Sequence, residues 1–409
     1  MERQNFIKTI ATGTFGSLIV GANRREQQSN IHDTGGGVNQ PRMVVGCQSR
    51  TGTSTEDLEF LARHGVYHMG PGSPTSIELD TGIYTPEEEG FQQVPWDLDI
   101  ALRQVEEADK FGIKIEAFHL SGGGSHFDLW RNIMLGNSPE RDRELESMAQ
   151  MIEISAKAGV HLLLYNATIL PVLRTSGTPD PNRGNVSYRT WNYEQAVEQG
   201  MHEEPHEAAP IDIDEMFERI SYWLERILPV AEENKVKLAC HIADPPLPAG
   251  FRGITRWNSP DIFEGIKRFA RLSNSPAHGF NFCIGTTAEG LENPREEIYP
   301  IIEWLGERNQ IFNVHYRNIR GGWNNFQEVF PDNGDMDFVG VLQALKDVGY
   351  AGMVMPDHIP DHDDPASNDQ GFAFVYGYTK ALLQLMYGFD AYPDHALDLK
   401  APGFAIHYG

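Results

Sequence analysis

The sequence is poor in cysteine and in basic residues, and it lacks a long apolar run. Three cysteines in 409 residues are too few for a disulfide framework. Asp and Glu total 58 against 33 Lys and Arg, which gives a formal net charge of −25. Such an acidic surface repels phosphate backbones and anionic lipid, and no apolar run reaches the ~20 residues of a membrane span. These absences argue against a nucleic-acid partner and against a membrane-embedded mature protein.

Short β-rich runs alternate with long amphipathic stretches from about residue 43 onward. Hydrophobic residues make up 40% and charged residues 22%, as in a folded globular protein. No Gly-x-Gly-x-x-Gly follows any of the runs, which disfavours a dinucleotide-binding sheet. Eight strand–helix units therefore predict an α/β fold, a single closed (β/α)8 TIM barrel over residues 42–409. The runs are Met43–Gly46, Gly65–Met69, Ile113–Phe118, Val160–Tyr165, Lys237–Cys240, Phe280–Cys283, Ile311–Val314 and Gly352–Met355.

Residues 1–41 read as a piece separate from the barrel. Residues 1–22 have a short basic start and an apolar stretch that ends in Val20-Gly21-Ala22, as in a signal peptide. Their start, Arg3-Gln4-Asn5-Phe6-Ile7-Lys8, is similar to a twin-arginine export signal with Gln in the second arginine position. Residues 23–41 are polar and glycine-rich, so they predict a flexible linker. We expect export to the periplasm if the leader functions, with a cytoplasmic location as the alternative.

Four residues with metal-binding side chains end or follow the last four predicted strands. They are His241, Cys283, His315 and Asp357, at separations of 42, 32 and 42 residues (283 − 241, 315 − 283 and 357 − 315). Each separation is about one strand–helix unit, so neighbouring strands would direct these side chains to one point at the C-terminal face of the barrel. Imidazole and thiolate suit Zn²⁺ or Fe²⁺, and Mn²⁺ is tolerated where positions stay open for oxygen ligands. The sequence therefore predicts a site for one divalent metal.

Around these residues the chain resembles the D-mannonate dehydratase family. The resemblance covers roughly residues 43–390, and it differs from the family pattern at Ile242-Ala243 and at Gly46-Cys47-Gln48. It implies a xylose-isomerase-like barrel and a Mn²⁺- or Fe²⁺-dependent lyase of hexuronate catabolism that converts D-mannonate to 2-keto-3-deoxy-D-gluconate and water. The family's metal ligands fall on the same four residues, and an acid–base position falls on His358. The matching stretches are Leu164-Tyr-Asn166, Pro171-Val-Leu-Arg-Thr175, His241-Ile-Ala-Asp-Pro-Pro246, Asn281-Phe-Cys-Ile-Gly285, Val314-His-Tyr-Arg-Asn318, Asp332-Asn-Gly-Asp-Met336 and Pro356-Asp-His358.

Dehydration of a sugar acid requires removal of the proton at C2 and departure of the hydroxyl at C3. His358 can act as base or acid because imidazole changes charge near neutral pH. Arg317 offers a fork that fits a carboxylate, and Tyr316 is a further catalytic candidate unless strand alternation directs it into the helix layer. Three more residues are candidates for binding the substrate: Asn166, Arg174 and Asp244.

Two other functions stay open from the sequence. One is a metal-dependent sugar isomerase or epimerase of the same fold, which abstracts a proton in the same way but loses no water. The other is a non-catalytic, exported sugar-acid-binding barrel that keeps its metal for structure. The mass of the product separates the first from a dehydratase, and binding without turnover identifies the second. A homo-oligomer is also compatible with the sequence.

Overall fold

The structure, a computed structural model, describes residues 42–48, 52–74, 96–120, 131–136 and 138–388. The predicted leader and linker, residues 1–41, lie outside these ranges. Within the described residues no helix combines the length and the apolar character that crossing a membrane requires. The strands found there are β1 (Val44–Cys47), β2 (His68–Met69), β3 (Lys114–Ile115), β4 (Phe118–His119), β5 (Leu162–Asn166), β6 (Thr190–Asn192), β7 (Lys237–His241), β8 (His278–Cys283), β9 (Ile311–His315), β10 (Asn318–Gly322), β11 (Asn325–Val329) and β12 (Met353–Met355).

Nine of these strands form one parallel sheet that closes into a barrel. Their order is β3-β2-β1-β12-β9-β8-β7-β5-β4. The two end strands, β3 and β4, are separated in the chain only by Glu116 and Ala117, so they are the two halves of one interrupted strand. The barrel therefore has eight strand positions, one for each predicted run, and the predicted (β/α)8 fold is confirmed.

The helices begin and end at residues that the local sequence specifies. Asp212 caps the N-terminus of the helix Ile213–Glu233, where its Oδ1 accepts hydrogen bonds from the N–H groups of Asp214 and Glu215, both at 2.9 Å. Gly112, with φ +70°, and Gly349, with φ +80°, adopt the left-handed conformation that glycine favours after a helix. The helices are α1 (Thr55–Arg63), α2 (Leu98–Asp109), α3 (Arg131–Leu135), α4 (Glu140–Lys157), α5 (Tyr193–Glu198), α6 (Ile213–Glu233), α7 (Ile262–Ala270), α8 (Ile284–Glu289), α9 (Pro294–Gly306), α10 (Phe338–Asp347) and α11 (Ser367–Tyr387).

The inside of the barrel changes from apolar to polar along the strands. Leu164, Ala239 and Met355 belong to one buried apolar cluster. Because side chains alternate across a strand, the residues two positions further along point to the same interior. Those residues are Asn166, His241 and Asp357, and all three line the cavity at the C-terminal end of the barrel.

A small second sheet lies after the C-terminal ends of the barrel strands. β10 and β11 form an antiparallel hairpin directly after β9, and β11 also pairs with β6. β6 belongs to the long segment 167–212 between β5 and α6, which is therefore folded against this hairpin. Trp191 of β6 is fully buried and Phe326 of β11 is 1% exposed, so apolar packing fixes the sheet.

Candidate active site

The structure brings the four predicted metal ligands together. His241, Cys283 and His315 end β7, β8 and β9, and Asp357 follows β12 by two residues. Each offers one donor atom, and these atoms all lie within 4.8 Å of one another. The neighbouring parallel strands hold this arrangement, with Cys283 paired in register to His315.

The hydrogen bonds of the two histidines leave one nitrogen of each ring available as a ligand. His241 Nδ1 lies 2.6 Å from the carbonyl oxygen of Ile242, which can only accept, so Nδ1 carries the proton and Nε2 the lone pair. His315 Nε2 contacts Gln48 Oε1, while its buried Nδ1 has no hydrogen-bond partner among the described residues. Burial lowers the pKa of both imidazoles, so both are neutral at pH 7.

The thiol of Cys283 is fully buried, and burial raises its pKa. Its Sγ also accepts a hydrogen bond from the N–H of Thr286 at 3.3 Å, which favours the thiolate. A divalent cation displaces the proton of a coordinating thiol outright. Two neutral imidazoles, a thiolate and the carboxylate of Asp357 therefore fit a resident divalent metal.

His358 lies beside this group and is oriented by a carboxylate. Its Nδ1 is 2.7 Å from Glu328 Oε2 and 2.6 Å from Arg317 Nη1. Burial opposes ionisation of Glu328, but the charges of Arg317 and Arg174 and a hydrogen bond from His358 outweigh it and hold the pKa of that carboxyl well below its usual range. An ionised Glu328 accepts the proton of Nδ1, which leaves the Nε2 lone pair for proton transfer. A carboxylate behind an imidazole is the arrangement that general acid–base catalysis uses.

Arg317 is held inside the protein and does not line the cavity. Its side chain is 1% exposed. One nitrogen, Nη1, donates to Asp357 Oδ2 at 2.6 Å, and the other, Nη2, donates to Thr286 at 2.9 Å and to Glu289 at 3.0 Å. Arg317 therefore joins a metal ligand to the buried carboxylates, and it leaves no free fork for a substrate.

Arg174 is also held by internal carboxylates. Its Nη2 lies 2.7 Å from Asp244 Oδ1. Both Nη2 and Nε donate to Glu328 Oε1, and the Nε hydrogen bond is 3.0 Å long. The three carboxylates of Asp244, Glu289 and Glu328 thus surround two guanidinium groups.

The charges of this cluster are matched. Burial opposes ionisation of Asp244, but Arg174 and Arg317 outweigh it and hold the pKa of that carboxyl below its usual range. Burial, and then the charge on Asp244, raises the pKa of Glu289 well above its ordinary value. With Glu289 protonated, two guanidinium charges balance the carboxylates of Asp244 and Glu328.

A cavity of about 850 Å³ opens over the metal group. Asn166 and Asp244 line it, as do His241, His315, Asp357 and His358. Tyr316 is not brought to the cavity: its ring stacks on Phe338 of α10, and its hydroxyl donates to the carbonyl of Phe338 at 2.9 Å. Tyr316 therefore lies in the helix layer, the second of the two orientations that alternation allowed.

Four residues of this region were not found from the sequence. Glu289 and Glu328 are buried acids on α8 and β11, and Gln48 and His119 line the cavity. The sequence feature that could have identified the buried acids is a charged residue in a segment with apolar neighbours, as in Phe326-Gln327-Glu328-Val329. Gln48 had a further signal, because it follows β1 at the same C-terminal edge as the metal ligands.

The fold and the site define a barrel enzyme of a metal-dependent kind, with a histidine beside four candidate metal ligands. A family model described as D-mannonate dehydratase (UxuA) matches residues 190–395, which include the four candidate metal ligands, Asp244, Arg317 and His358. The chain belongs to the D-mannonate dehydratase family and is a hydro-lyase. Asn166 and Arg174 precede the matched residues.

Curated relatives extend the similarity beyond this stretch. Mannonate dehydratase of Thermotoga maritima is 29% identical over 297 residues, which cover 64% of this chain and 78% of that protein. Mannonate dehydratase of Shouchella clausii is 30% identical over 297 residues, 64% of this chain and 77% of that protein.

Solved structures support the fold. Mannonate dehydratase from Streptococcus suis serotype 2 superposes with a TM-score of 0.69 at 21% identity, over 90% of this chain and 100% of that chain. A xylose isomerase domain protein from Planctomyces limnophilus superposes with a TM-score of 0.51 at 12% identity, over 85% and 99% of the two chains. The barrel is therefore of the xylose-isomerase-like kind.

Proposed function

We propose that the chain dehydrates D-mannonate, or a related hexonate, to 2-keto-3-deoxy-D-gluconate and water. Four side chains that can bind a metal meet at one point, and three of them line a cavity together with a carboxylate-oriented histidine. This observation carries the proposal. The names of the relatives point to the same reaction. A small sugar acid is the partner for which a cavity of about 850 Å³ has room.

The four donors, His241, Cys283, His315 and Asp357, would hold one Mn²⁺ or Fe²⁺. A site with a thiolate and two imidazoles suits Fe²⁺ by softness, and Asp357 adds the hard oxygen ligand that Mn²⁺ prefers. Other divalent metals, Zn²⁺ among them, are compatible with the same donors. When bound, the ion supplies positive charge that stabilises the doubly charged carboxylate formed as C2 loses its proton.

The residues around the metal group divide the remaining tasks. His358 lines the cavity, where its Nε2 can take the C2 proton or give a proton to the departing C3 hydroxyl. Glu328 holds the tautomer that leaves Nε2 available. Arg317 holds Asp357 in place, because its Nη1 donates to Asp357 Oδ2 at 2.6 Å. Arg317 and Arg174 thus act as positioning residues, whereas Asn166 and Asp244, which line the cavity, can meet the sugar hydroxyls.

Product mass tests the proposal directly. Purified protein is loaded with Mn²⁺ or Fe²⁺, incubated with a panel of hexonates that includes D-mannonate, and the products are analysed by mass spectrometry. A dehydratase gives a product lighter than the substrate by one water. A product of unchanged mass would instead identify an isomerase or epimerase, and binding without any product would identify a non-catalytic sugar-acid-binding barrel.

A further inference from the structure

The substrate of the proposed reaction is an anion, and the cavity needs a cation besides the metal to receive it. The two arginines nearest the metal group are not available. Arg317 is 1% exposed and Arg174 is 14% exposed, and both donate to internal carboxylates. Neither lines the cavity. The whole chain has a net charge of −25, so its overall electrostatic potential repels an anionic substrate unless a local positive charge attracts it.

Arg189 supplies such a charge. It is exposed, and among the described residues that line the cavity it is the one Lys or Arg. No carboxylate of the described chain lies within ion-pair distance, 4.0 Å, of its guanidinium. The nearby cavity acid Asp361 is engaged elsewhere, since its Oδ1 accepts from Ser367 Oγ at 2.6 Å and from the N–H of His362 at 2.9 Å. The N–H donors of the Arg189 guanidinium are therefore available to a ligand.

The backbone around Arg189 is fixed even though the side chain is exposed. The carbonyl of Arg189 accepts a hydrogen bond from the N–H of Glu328 at 2.9 Å. Ser187 exchanges two backbone hydrogen bonds with Asp361, at 2.6 and 3.0 Å. Tyr188 and Thr190, on either side of Arg189, are buried, so strand alternation directs Ser187 and Arg189 to the open side. The same strand pairing that places Glu328 behind His358 thus places Arg189 at the cavity.

We infer that Arg189 binds the carboxylate of the hexonate substrate and selects sugar acids over neutral sugars. The inference rests on the proposed function, because it needs a substrate that carries a carboxylate. A guanidinium can meet a carboxylate with two parallel hydrogen bonds, which fixes orientation as well as charge.

The test compares a charged ligand with a neutral one. Arg189→Gln and Arg189→Lys are assayed with D-mannonate for KM and kcat, and D-mannonamide, which has the same hydroxyls but no charge, is tested as a competitive ligand. We expect Arg189→Gln to raise KM for D-mannonate by roughly 10–100-fold, the range of a lost charge-assisted pair, with a smaller effect on kcat. D-mannonamide should bind the variant and the wild type alike, and Arg189→Lys should recover part of the affinity.

Arg183→Gln removes a charge from the same segment at a residue paired with Asp332, and it is the control for long-range electrostatics.

Three outcomes overturn the inference. An unchanged KM in Arg189→Gln would do so, as would an equal loss of affinity for D-mannonate and D-mannonamide, since that pattern indicates a role in cavity shape. A KM increase of the same size in Arg183→Gln would assign the effect to overall charge.

Equilibrium binding to the metal-loaded proteins separates this inference from the proposed function. If wild-type protein binds D-mannonate without turning it over, the proposed dehydratase function is contradicted. The affinities of wild type and Arg189→Gln for D-mannonate and D-mannonamide still test the role of Arg189. Wild-type protein that does not bind D-mannonate contradicts both.

Discussion

At the scale of single residues, we propose that His358 moves protons and that Asp357 holds the metal. Adjacent residues of an extended segment point in different directions, and the Nδ1 of His358 is already engaged by Glu328 at 2.7 Å. His358→Asn should therefore keep the metal and most of the substrate affinity but lower kcat by roughly 10²–10⁴-fold, the usual contribution of an acid–base group. Metal analysis together with steady-state kinetics checks this. Loss of metal from the variant would show that His358 is a ligand or supports one.

Cys283 and Cys240 offer a matched pair for testing the metal group. Both are fully buried thiols, but only Cys283 contributes a donor to the group of four. Cys283→Ala should lower metal content sharply because a site that loses one ligand is open to water and binds the ion more weakly. Cys240→Ala leaves a similar small cavity and should keep stoichiometric metal. Mass spectrometry of the metal content decides, and equal metal in the two variants would refute the site.

His119 should make the metal-free protein sensitive to acid. Burial, and then the neighbouring His241, lowers the pKa of His119 from 6.5 to about 4. The unfolded chain therefore binds a proton more readily than the folded one, so stability is lost as the pH falls from 6.5 towards 4. Linkage gives a loss of about 2 kcal/mol between pH 8 and pH 5 from this residue. Urea unfolding of metal-free His119→Gln should show a pH dependence weaker by that amount. Removal of the exposed His161 in His161→Gln is the control, and wild-type-like acid sensitivity in His119→Gln would contradict the assignment.

At the scale of elements, the β10–β11 hairpin connects the fold to the catalytic histidine. Glu328 of β11 is paired in register with Ile319 of β10, so any distortion of the hairpin moves the carboxylate behind His358. Gly321 is the vulnerable point, because it has φ +88° and an added Cβ would lie 2.2 Å from the carbonyl oxygen of Asn325.

Gly321→Ala should lower the free energy of unfolding by about 1–2 kcal/mol or more and reduce kcat as well, since both strain and a backbone clash oppose it. Gly377→Ala is the control: Gly377 lies inside α11 with open space around it, so alanine there should stabilise by roughly 0.5–1 kcal/mol. Denaturant unfolding and kinetics on both variants check this. A Gly321→Ala protein as stable as the wild type would show that the hairpin tolerates the change.

The elements also show which parts of the site the sequence could predict. The positions of His241, Cys283, His315 and Asp357 follow from two local rules, the period-two alternation of strands and the location of barrel sites at C-terminal strand ends. The pairing of Glu328 with His358 and the internal use of Arg174 and Arg317 follow from no local rule. They depend on how the segment 167–212 and the β10–β11 hairpin fold against each other, a contact between residues far apart in the chain. For that reason the position of Arg317 next to the metal group could be predicted from the sequence, while its partners could not.

At the scale of the whole molecule, the first residues that the structure describes are packed against the last helix that it describes. Met43 is fully buried, and its N–H donates to the hydroxyl of Tyr387 at 3.2 Å, so the first strand is anchored to the last helix from its first residues. Residues 1–41 precede this anchor, and their sequence is a signal-like leader followed by a polar, glycine-rich linker without strand or helix periodicity. We propose that they are not part of the catalytic fold.

Deletion of residues 1–41 should therefore leave the Tm and the metal content of the protein nearly unchanged, because their sequence carries no strand pattern that could pair with the barrel. Calorimetry and metal analysis of the truncated and full chains measure this. A second truncation that also removes residues 42 and 43 is the matched comparison: it deletes the buried Met43 side chain and the hydrogen bond to Tyr387. Loss of a large buried side chain from a core costs about 2–5 kcal/mol, so the second truncation should lower the Tm distinctly. If the shorter deletion already lowers the Tm as much as the longer one, the boundary between linker and barrel lies upstream of residue 42.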